Sequence, residues 1–332
     1  MRRSFYSLAL SALLFALCLS AEAQQPGKIP RIGILEYRGA SDREQVWEAF
    51  RQGLRELGYI EGKNIIMEYR YADGKIQRLP ELAAELVRLK VDIIVVSDVQ
   101  PAVAARKTTA TTSIVIAGGR DPVEAGLVAS LAHPGGNVTG VTNLSPELLG
   151  KRLELLKEAV PRISRVAVLN EASGGGRRTA ELTKEMVGPA RGLGIQLKIL
   201  EVRAPDLDFD QAFRGAVRER IDALLIGATP IFTLAPHMKR IVELSTKNRL
   251  PIMTGNLAWV SAGALMSYGT IPEELSRRTA VFVDKILKGK KPADLPVEQP
   301  TKFEFGINLK TAKQIGLTIP QSLLYRADKV IR

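Results

Sequence analysis

The chain has 332 residues, of which 45% are apolar and 25% charged, a composition typical of a globular protein that excludes bulk disorder. Its formal net charge is +12, but the basic residues are dispersed along the chain and accompany no helix-turn-helix, zinc-finger or aromatic RNA-binding motif. The charge therefore predicts a solvated basic surface that favours encounters with anionic solutes, and no nucleic-acid partner.

The first 23 residues have the pattern of a removable export signal. Met1–Arg3 is positively charged, Leu8–Leu19 is almost entirely apolar, and Ala21–Ala23 is the small-x-small site of a signal peptidase. We therefore predict cleavage after Ala23 and a mature protein that works in the periplasm. Cys18 is the only cysteine, and the leucine before it is bulkier than lipid attachment normally tolerates. We expect no lipid anchor and no disulfide.

β-branched runs alternate with helical patterns through the first half of the chain. The predicted strands are Arg31–Leu35, Asn64–Tyr71, Val91–Val96 and Ser113–Ala117. After the first strand, Val46, Phe50 and Leu54 lie on one helical face, and Ser41 and Glu44 have the spacing of a capping box. Strands separated by helices predict a parallel sheet that is covered on both faces.

The same alternation restarts after Pro161. The predicted strands are Arg165–Leu169, Ile195–Val202, Asp222–Gly227 and Leu250–Thr254, and the predicted helices are Arg177–Leu193, Asp208–Arg220 and Thr233–Asn248. A turn and short strand at His133–Val141 predict a first crossover, and a section with a strand at Ala264–Tyr268 and a helix at Pro272–Leu287 has to rejoin one or both halves.

The fold class is therefore α/β, with two doubly wound, Rossmann-like lobes joined by a multi-strand hinge. We predict one lobe of residues 30–142 plus roughly 255–290, and a second lobe of residues 143–254 plus roughly 300–332. A ligand cleft is expected between them.

In open parallel sheets, ligands bind beyond the carboxyl ends of the strands. The polar residues that follow the predicted strands are therefore candidates for ligand contact: Tyr37, Ser97, Asp98, Gln100, Arg120, Asp121, Asn170, Thr229 and Asn256. Two interpretations stay open for Asp98 and Asp121, since each carboxylate has the position of a cap and also of a ligand contact. Tyr37 and Trp259 are the aromatic residues best placed to stack on a ligand.

Signs of catalysis are sparse. His133 and His237 are the only histidines, and the chain has no paired metal-ligand spacing, nucleophile elbow or zinc helix. The glycine-rich Ser173–Gly176 lacks the third glycine of a dinucleotide fingerprint and predicts a flexible cleft loop. We predict no catalytic residue, no metal and no cofactor.

Four segments together carry a family resemblance: Phe50–Tyr59, Arg78–Asp92, Asp121–Val141 and Pro300–Ile331. The most distinctive sequence segments are GLVASLAHPGGNVTGV and KPADLPVEQPTKFEFGINLKTAKQIGLTIP. In these segments the chain resembles the substrate-binding proteins of ABC importers with a type I periplasmic-binding fold. The resemblance implies two lobes that close over a small solute and deliver it to a membrane permease with a cytoplasmic ATPase, and some relatives bind aromatic or branched-chain amino acids.

The resemblance also implies cleft positions at Asn143 and at most of the loop residues given above. The sequence departs from the family pattern at Glu36–Arg38, which brings charges to the first loop, and at Ser97–Val99, which replaces a threonine-rich loop. These departures weaken the prediction of an amino-acid solute, and the competing prediction is a small organic acid whose carboxylate is held by Arg38 or Arg120. We expect a monomer. An exported sensor module and a secreted small-molecule hydrolase are the alternative functions.

Overall fold

The computed structural model describes residues 28–143, 147–172, 186–204, 206–227 and 229–332. The predicted export signal lies outside the described residues, as do Ser173–Gly176 and the first part of the helix predicted at Arg177–Leu193. Within the described ranges, no helix combines the length and the apolar character that crossing a bilayer requires.

The first sheet has five strands, all parallel, in the order β2-β1-β3-β4-β5. They are β1 (Arg31–Glu36), β2 (Ile66–Tyr71), β3 (Ile93–Val96), β4 (Ser113–Ala117) and β5 (Val138–Val141). Every residue of β3 is fully buried, because helices cover both faces of the sheet. The helices that precede β5 in the chain are α1 (Glu44–Glu56), α2 (Leu79–Arg88) and α3 (Val99–Thr108). The predicted parallel sheet is confirmed.

In the described part of the chain, the second sheet has seven strands in the order β12-β11-β10-β9-β8-β6-β7, and β10 and β11 are the one pair that is antiparallel. The strands are β6 (Arg165–Glu171), β7 (Gln196–Val202), β8 (Ala223–Ile226), β9 (Ile252–Thr254), β10 (Met266–Thr270), β11 (Phe303–Asn308) and β12 (Lys329–Ile331). The helices are α4 (Glu147–Ala159), α5 (Phe209–Arg218), α6 (Ala235–Lys247), α7 (Leu257–Ala262), α8 (Pro272–Leu287), α9 (Leu309–Gln314) and α10 (Gln321–Arg326), and residues 186–192 are also helical.

The section after β9 is divided between the two sheets, which differs from the predicted assignment of roughly 255–290 to the first lobe. Strand β10 pairs with β9 and β11, since these strands supply its backbone hydrogen bonds in the second sheet. Helix α8 instead packs against α1 on the first sheet. At the crossing, a Cβ on Gly53 would lie 2.9 Å from the Ala280 Cβ, so the glycine permits the close approach of the two helices.

The predicted capping box at the start of α1 is wrong. A short 3₁₀ turn, Ala40–Arg43, precedes the helix, and Arg43 occupies the N-cap position without a side-chain cap. The carboxylate of Glu44 instead forms an ion pair with Arg51, two turns further along the helix.

Among the elements that the structure describes, the chain passes from one sheet to the other at three places: after β5, between β10 and α8, and before β11. The first and third run side by side, because Thr142 N donates to Glu298 O over 2.9 Å and Glu298 N donates to Gly140 O over 3.0 Å. Arg278 holds the Glu298 carboxylate through two hydrogen bonds of 2.6 and 2.7 Å. The predicted multi-strand connection is confirmed.

Candidate functional site

A cavity of about 240 Å³ lies where the carboxyl ends of the strands of both sheets face each other. Seven of the predicted site residues line it: Ser97, Asp98, Arg120, Asp121, Asn143, Thr229 and Asn256. Five of them follow strands of the first sheet, and two follow strands of the second. The fold therefore brings together polar groups that lie far apart in the sequence.

Three predicted site residues are not on the cavity wall. Tyr37 is 3% exposed and packs in the core of the first lobe, where burial raises the pKa of its hydroxyl. Gln100 lies in the first turn of α3, away from the wall. Asn170 is fully buried at the end of β6, and its Oδ1 accepts a 3.5 Å hydrogen bond from Thr229 Oγ1. Of the two predicted aromatic stackers, only Trp259 reaches the cavity.

The capping interpretation of the two aspartates is confirmed, and both residues lie on the cavity wall. Asp98 is the N-cap of α3, where its Oδ1 accepts from Val99 N over 2.6 Å. Asp121 Oδ1 accepts from Val123 N over 2.8 Å and from Glu124 N over 3.2 Å. Because both residues also line the cavity, these backbone bonds fix the carboxylates on its wall.

A buried cluster of charges supports the first-lobe wall. The Glu36 side chain is fully buried, and its Oε1 accepts from Arg38 N over 3.0 Å and from Ser97 Oγ over 2.9 Å. Its Oε2 lies 3.6 Å from Arg43 Nε. Burial, and then repulsion by Arg38, lower the pKa of Arg43, while Glu36 opposes the shift. Two cavity-lining arginines therefore share one buried carboxylate, which holds their guanidinium groups in place.

The two lobes touch across the cleft. Arg38 Nε donates to Thr233 Oγ1 over 2.9 Å, and Thr233 belongs to the 3₁₀ turn Pro230–Thr233 that follows β8. Next to it, Leu234 packs against the apolar core of the first lobe, close enough that a Cβ on Gly74 would lie 2.9 Å from its Cδ1. These contacts describe a closed arrangement of the lobes.

Two cavity-lining cations, Arg43 and Arg152, were not predicted from the sequence. Arg152 lies on α4, where its Nε donates to Tyr268 O over 2.7 Å. Enclosure by protein lowers the pKa of its guanidinium to about 10. A signal was available: Leu148, Leu155 and Leu156 are buried at helical spacing around it, so a charged residue occupies a position of the apolar stripe.

The described residues hold no group of three or more His, Cys, Asp or Glu side chains with the arrangement of a metal site. The cavity therefore offers hydrogen-bond donors, carboxylates and apolar surface for holding a small molecule.

Comparison with known proteins places this geometry in a family. Residues 32–331 match the family of the ABC transporter substrate binding protein. The chain is an ABC transporter substrate-binding protein. A tyrosine-binding protein of Clostridioides difficile is 26% identical to it over 290 residues, which is 87% of this chain and 82% of the relative. The sequence-based family prediction is thus confirmed.

Solved structures share the fold of this substrate-binding protein. An ABC domain from Streptococcus pneumoniae in complex with L-Trp has a TM-score of 0.82 at 25% identity, covering 91% of this chain and 99% of that chain. The leucine-binding protein LivK from Thermotoga maritima has a TM-score of 0.54 at 17% identity, covering 81% and 79% of the two chains. The fold is the type I periplasmic-binding fold, as predicted.

A ligand-free relative shares the same fold. The ligand-free, open structure of a substrate-binding protein with adhesive properties from Clostridium difficile has a TM-score of 0.70 at 24% identity, covering 91% of this chain and 99% of that chain.

Proposed function

We propose that this protein captures a small organic solute, an amino acid or a small organic acid, by closing its two lobes, and delivers the solute to an ABC permease with its ATPase. The observation that carries the proposal is the convergence of polar side chains from both lobes on one enclosed cavity. Its volume of about 240 Å³ is at the small end of ligand sites, which favours a solute of amino-acid size. The tyrosine-binding relative and the L-Trp complex support the same size class.

We infer that the lobes are residues 30–142 with 272–298 and residues 147–270 with 303–332, following sheet membership and helix packing. The seven predicted residues on the cavity wall are the proposed ligand contacts. The protein acts in the periplasm after removal of residues 1–23, as a monomer.

The test is a thermal-shift and scattering experiment on the purified protein with amino acids, aromatic acids, small dicarboxylates, sugars and nucleosides. A solute that binds the folded state raises the unfolding temperature by mass action, and closure reduces the radius of gyration. A shift confined to one chemical class, with the compound recovered intact, supports capture. Turnover of the compound would indicate an enzyme instead.

A pair of bulky substitutions supplies the control. Asn143→Trp places an indole in the cavity, whereas Val217→Trp places one on the exposed face of α5, where Val217 is 53% exposed. The first variant should lose the solute-induced shift and the second should keep it. If both variants respond like the parent protein, the solute does not occupy this cavity.

A further inference from the structure

Arg152 occupies a position that the sequence pattern reserves for an apolar side chain. Helix α4 buries Leu148, Leu155 and Leu156 against the second sheet, and Arg152 lies on the same face, four residues after Leu148 and three before Leu155. A long basic side chain usually extends its charged end into bulk water. This one instead ends at the wall of the cavity.

The surroundings of Arg152 fix the orientation of its guanidinium. Its Nε donates to Tyr268 O over 2.7 Å, at the strand that leads out of the second lobe. On the other side, a Cβ on Gly255 would lie 2.5 Å from Nη2 and 2.9 Å from Cζ. The glycine therefore leaves the space that the guanidinium fills, and Gly255 itself lines the cavity.

The charge of Arg152 is not compensated by the residues that the structure describes. No described carboxylate lies within 4.0 Å of its guanidinium, and no described group accepts a hydrogen bond from Nη1 or Nη2. Burial lowers the pKa of the group, which means that the enclosure disfavours the charged form. Arg152 is half-buried, and an enclosed cation without a carboxylate partner costs stability, so a protein retains it where an anion completes the site.

The other cavity-lining arginines differ from Arg152. Arg38 and Arg43 share the carboxylate of Glu36, and Arg38 also bonds Thr233. Arg120 lies on the loop after β4, where none of the described ion pairs holds its guanidinium. Arg152 alone among these four combines a fixed orientation with an unpaired charge in the described part of the chain.

We propose that Arg152 selects solutes that carry a carboxylate, by donating from Nη1 and Nη2 to the two carboxylate oxygens. The inference rests on the proposed solute-capture function and names the chemical group that the site requires. The fork of two parallel N–H donors matches the geometry of a carboxylate. Beside the guanidinium, Leu148, Val168 and Leu225 provide apolar wall for the body of the solute.

The experiment compares carboxylates with the corresponding amides, which lack the negative carboxylate charge, by calorimetry and thermal shift on the purified protein. L-tyrosine, L-leucine and benzoate are paired with tyrosinamide, leucinamide and benzamide. The expected result is binding of at least one carboxylate and at least tenfold weaker binding of its amide. Amino acids and benzoate are separate arms, so the outcome also distinguishes an amino-acid site from a site for simple organic acids.

Variants assign the effect to Arg152. Arg152→Met should weaken carboxylate binding at least tenfold, because a charge-assisted two-pronged hydrogen bond is lost. Arg152→Lys keeps the positive charge but lacks the two parallel N–H donors, so its affinity for the carboxylate should lie between those of the parent protein and Arg152→Met. Lys151→Met removes the same charge from the adjacent, 43% exposed side chain and should bind like the parent protein. The ligand-free Arg152→Met protein should unfold at a temperature no lower than the parent, since it no longer encloses an uncompensated, half-buried cation.

Two outcomes would overturn the inference while leaving the function intact. In one, the parent binds amides as tightly as carboxylates; in the other, Arg120→Met abolishes carboxylate binding and Arg152→Met does not. No shift with any compound, together with no small molecule released on denaturation, would instead contradict the solute-capture function and this inference with it.

Discussion

Arg38 and Thr233 are joined by a 2.9 Å hydrogen bond from Nε to Oγ1, although they lie 195 residues apart and belong to different lobes. Glu36 fixes Arg38, because its Oε1 accepts from the backbone N–H of Arg38 over 3.0 Å and from Nη1 over 3.4 Å. Thr233 is held by its own bond to Pro230 O, over 2.6 Å. Because each partner is fixed in its own lobe, the bond specifies how the lobes meet.

Thr233→Val should weaken solute binding by about fivefold, because loss of the Arg38 hydrogen bond between the lobes, together with the bond that orients the hydroxyl on Pro230 O, shifts the lobes toward opening by about 1 kcal/mol. The variant keeps the shape of the side chain, and its unfolding temperature without solute should stay close to that of the parent. Calorimetry with a bound solute measures the change. Thr111→Val, at the exposed amino end of the first sheet, is the matched control and should bind normally. Equal affinities for the two variants would show that the bond does not stabilise closure.

Glu36→Gln should lower the free energy of unfolding by about 3 kcal/mol, because it leaves Arg38 and Arg43 buried without their shared carboxylate. Urea denaturation followed by circular dichroism gives the value. The control is Glu154→Gln, which removes an exposed carboxylate paired with Lys151 over 3.0 Å and should cost no more than about 1 kcal/mol. A Glu36→Gln protein as stable as the control would contradict the role given to this carboxylate.

Gly140→Ala should destabilise the protein by about 3 kcal/mol or more, or prevent folding. Gly140 has φ +132°, and a Cβ there would lie 2.2 Å from Ile116 O on the neighbouring strand. Gly136→Ala in the preceding turn meets no atom within 4 Å and should change stability by less than about 0.5 kcal/mol. Thermal unfolding of the two variants measures these changes in stability. If both unfold like the parent protein, the close approach of β5 to β4 does not require glycine.

Stability should fall as the pH rises from about 10 toward 12. Burial raises the pKa of Tyr59 to about 12 and that of Tyr71 to about 12, against 10.0 for an ordinary tyrosine. The unfolded chain releases these protons near pH 10 while the folded chain still holds them, so ionisation favours unfolding in that interval. Urea denaturation between pH 9 and 11.5 measures how steeply the free energy of unfolding falls with pH.

The hydroxyl of Tyr59 donates to Asp284 Oδ1 over 3.0 Å, which joins the end of α1 to α8. Tyr59→Phe should therefore reduce the alkaline loss of stability. Tyr325→Phe removes a hydroxyl from a side chain that is 82% exposed, and its pH dependence should match that of the parent protein. Identical slopes for all three proteins would argue against the contribution of Tyr59.

Much of the fold is determined locally and could be predicted from the sequence. The strand predicted at Ser113–Ala117 has those bounds in the structure, and the one predicted at Arg31–Leu35 extends by a single residue, because runs of β-branched residues bounded by polar breaks specify buried strands directly. The loops after five strands, three in the first sheet and two in the second, supplied seven residues of the cavity wall for a topological reason, since the carboxyl ends of parallel strands lie on one edge.

Tertiary structure alone decided which lobe each later element joins and which polar side chains face the cavity. Nothing local in Met266–Thr270 or Pro272–Leu287 distinguishes the two sheets; the strand joins the sheet that offers unpaired backbone groups, and the helix covers the apolar face left open beside α1. Tyr37 and Arg38 are adjacent in the sequence, yet one packs in the core and the other reaches across the cleft. Both residues lie in the loop after β1, where no regular strand alternation assigns their side chains to a face, so tertiary packing determines which of them faces the cavity.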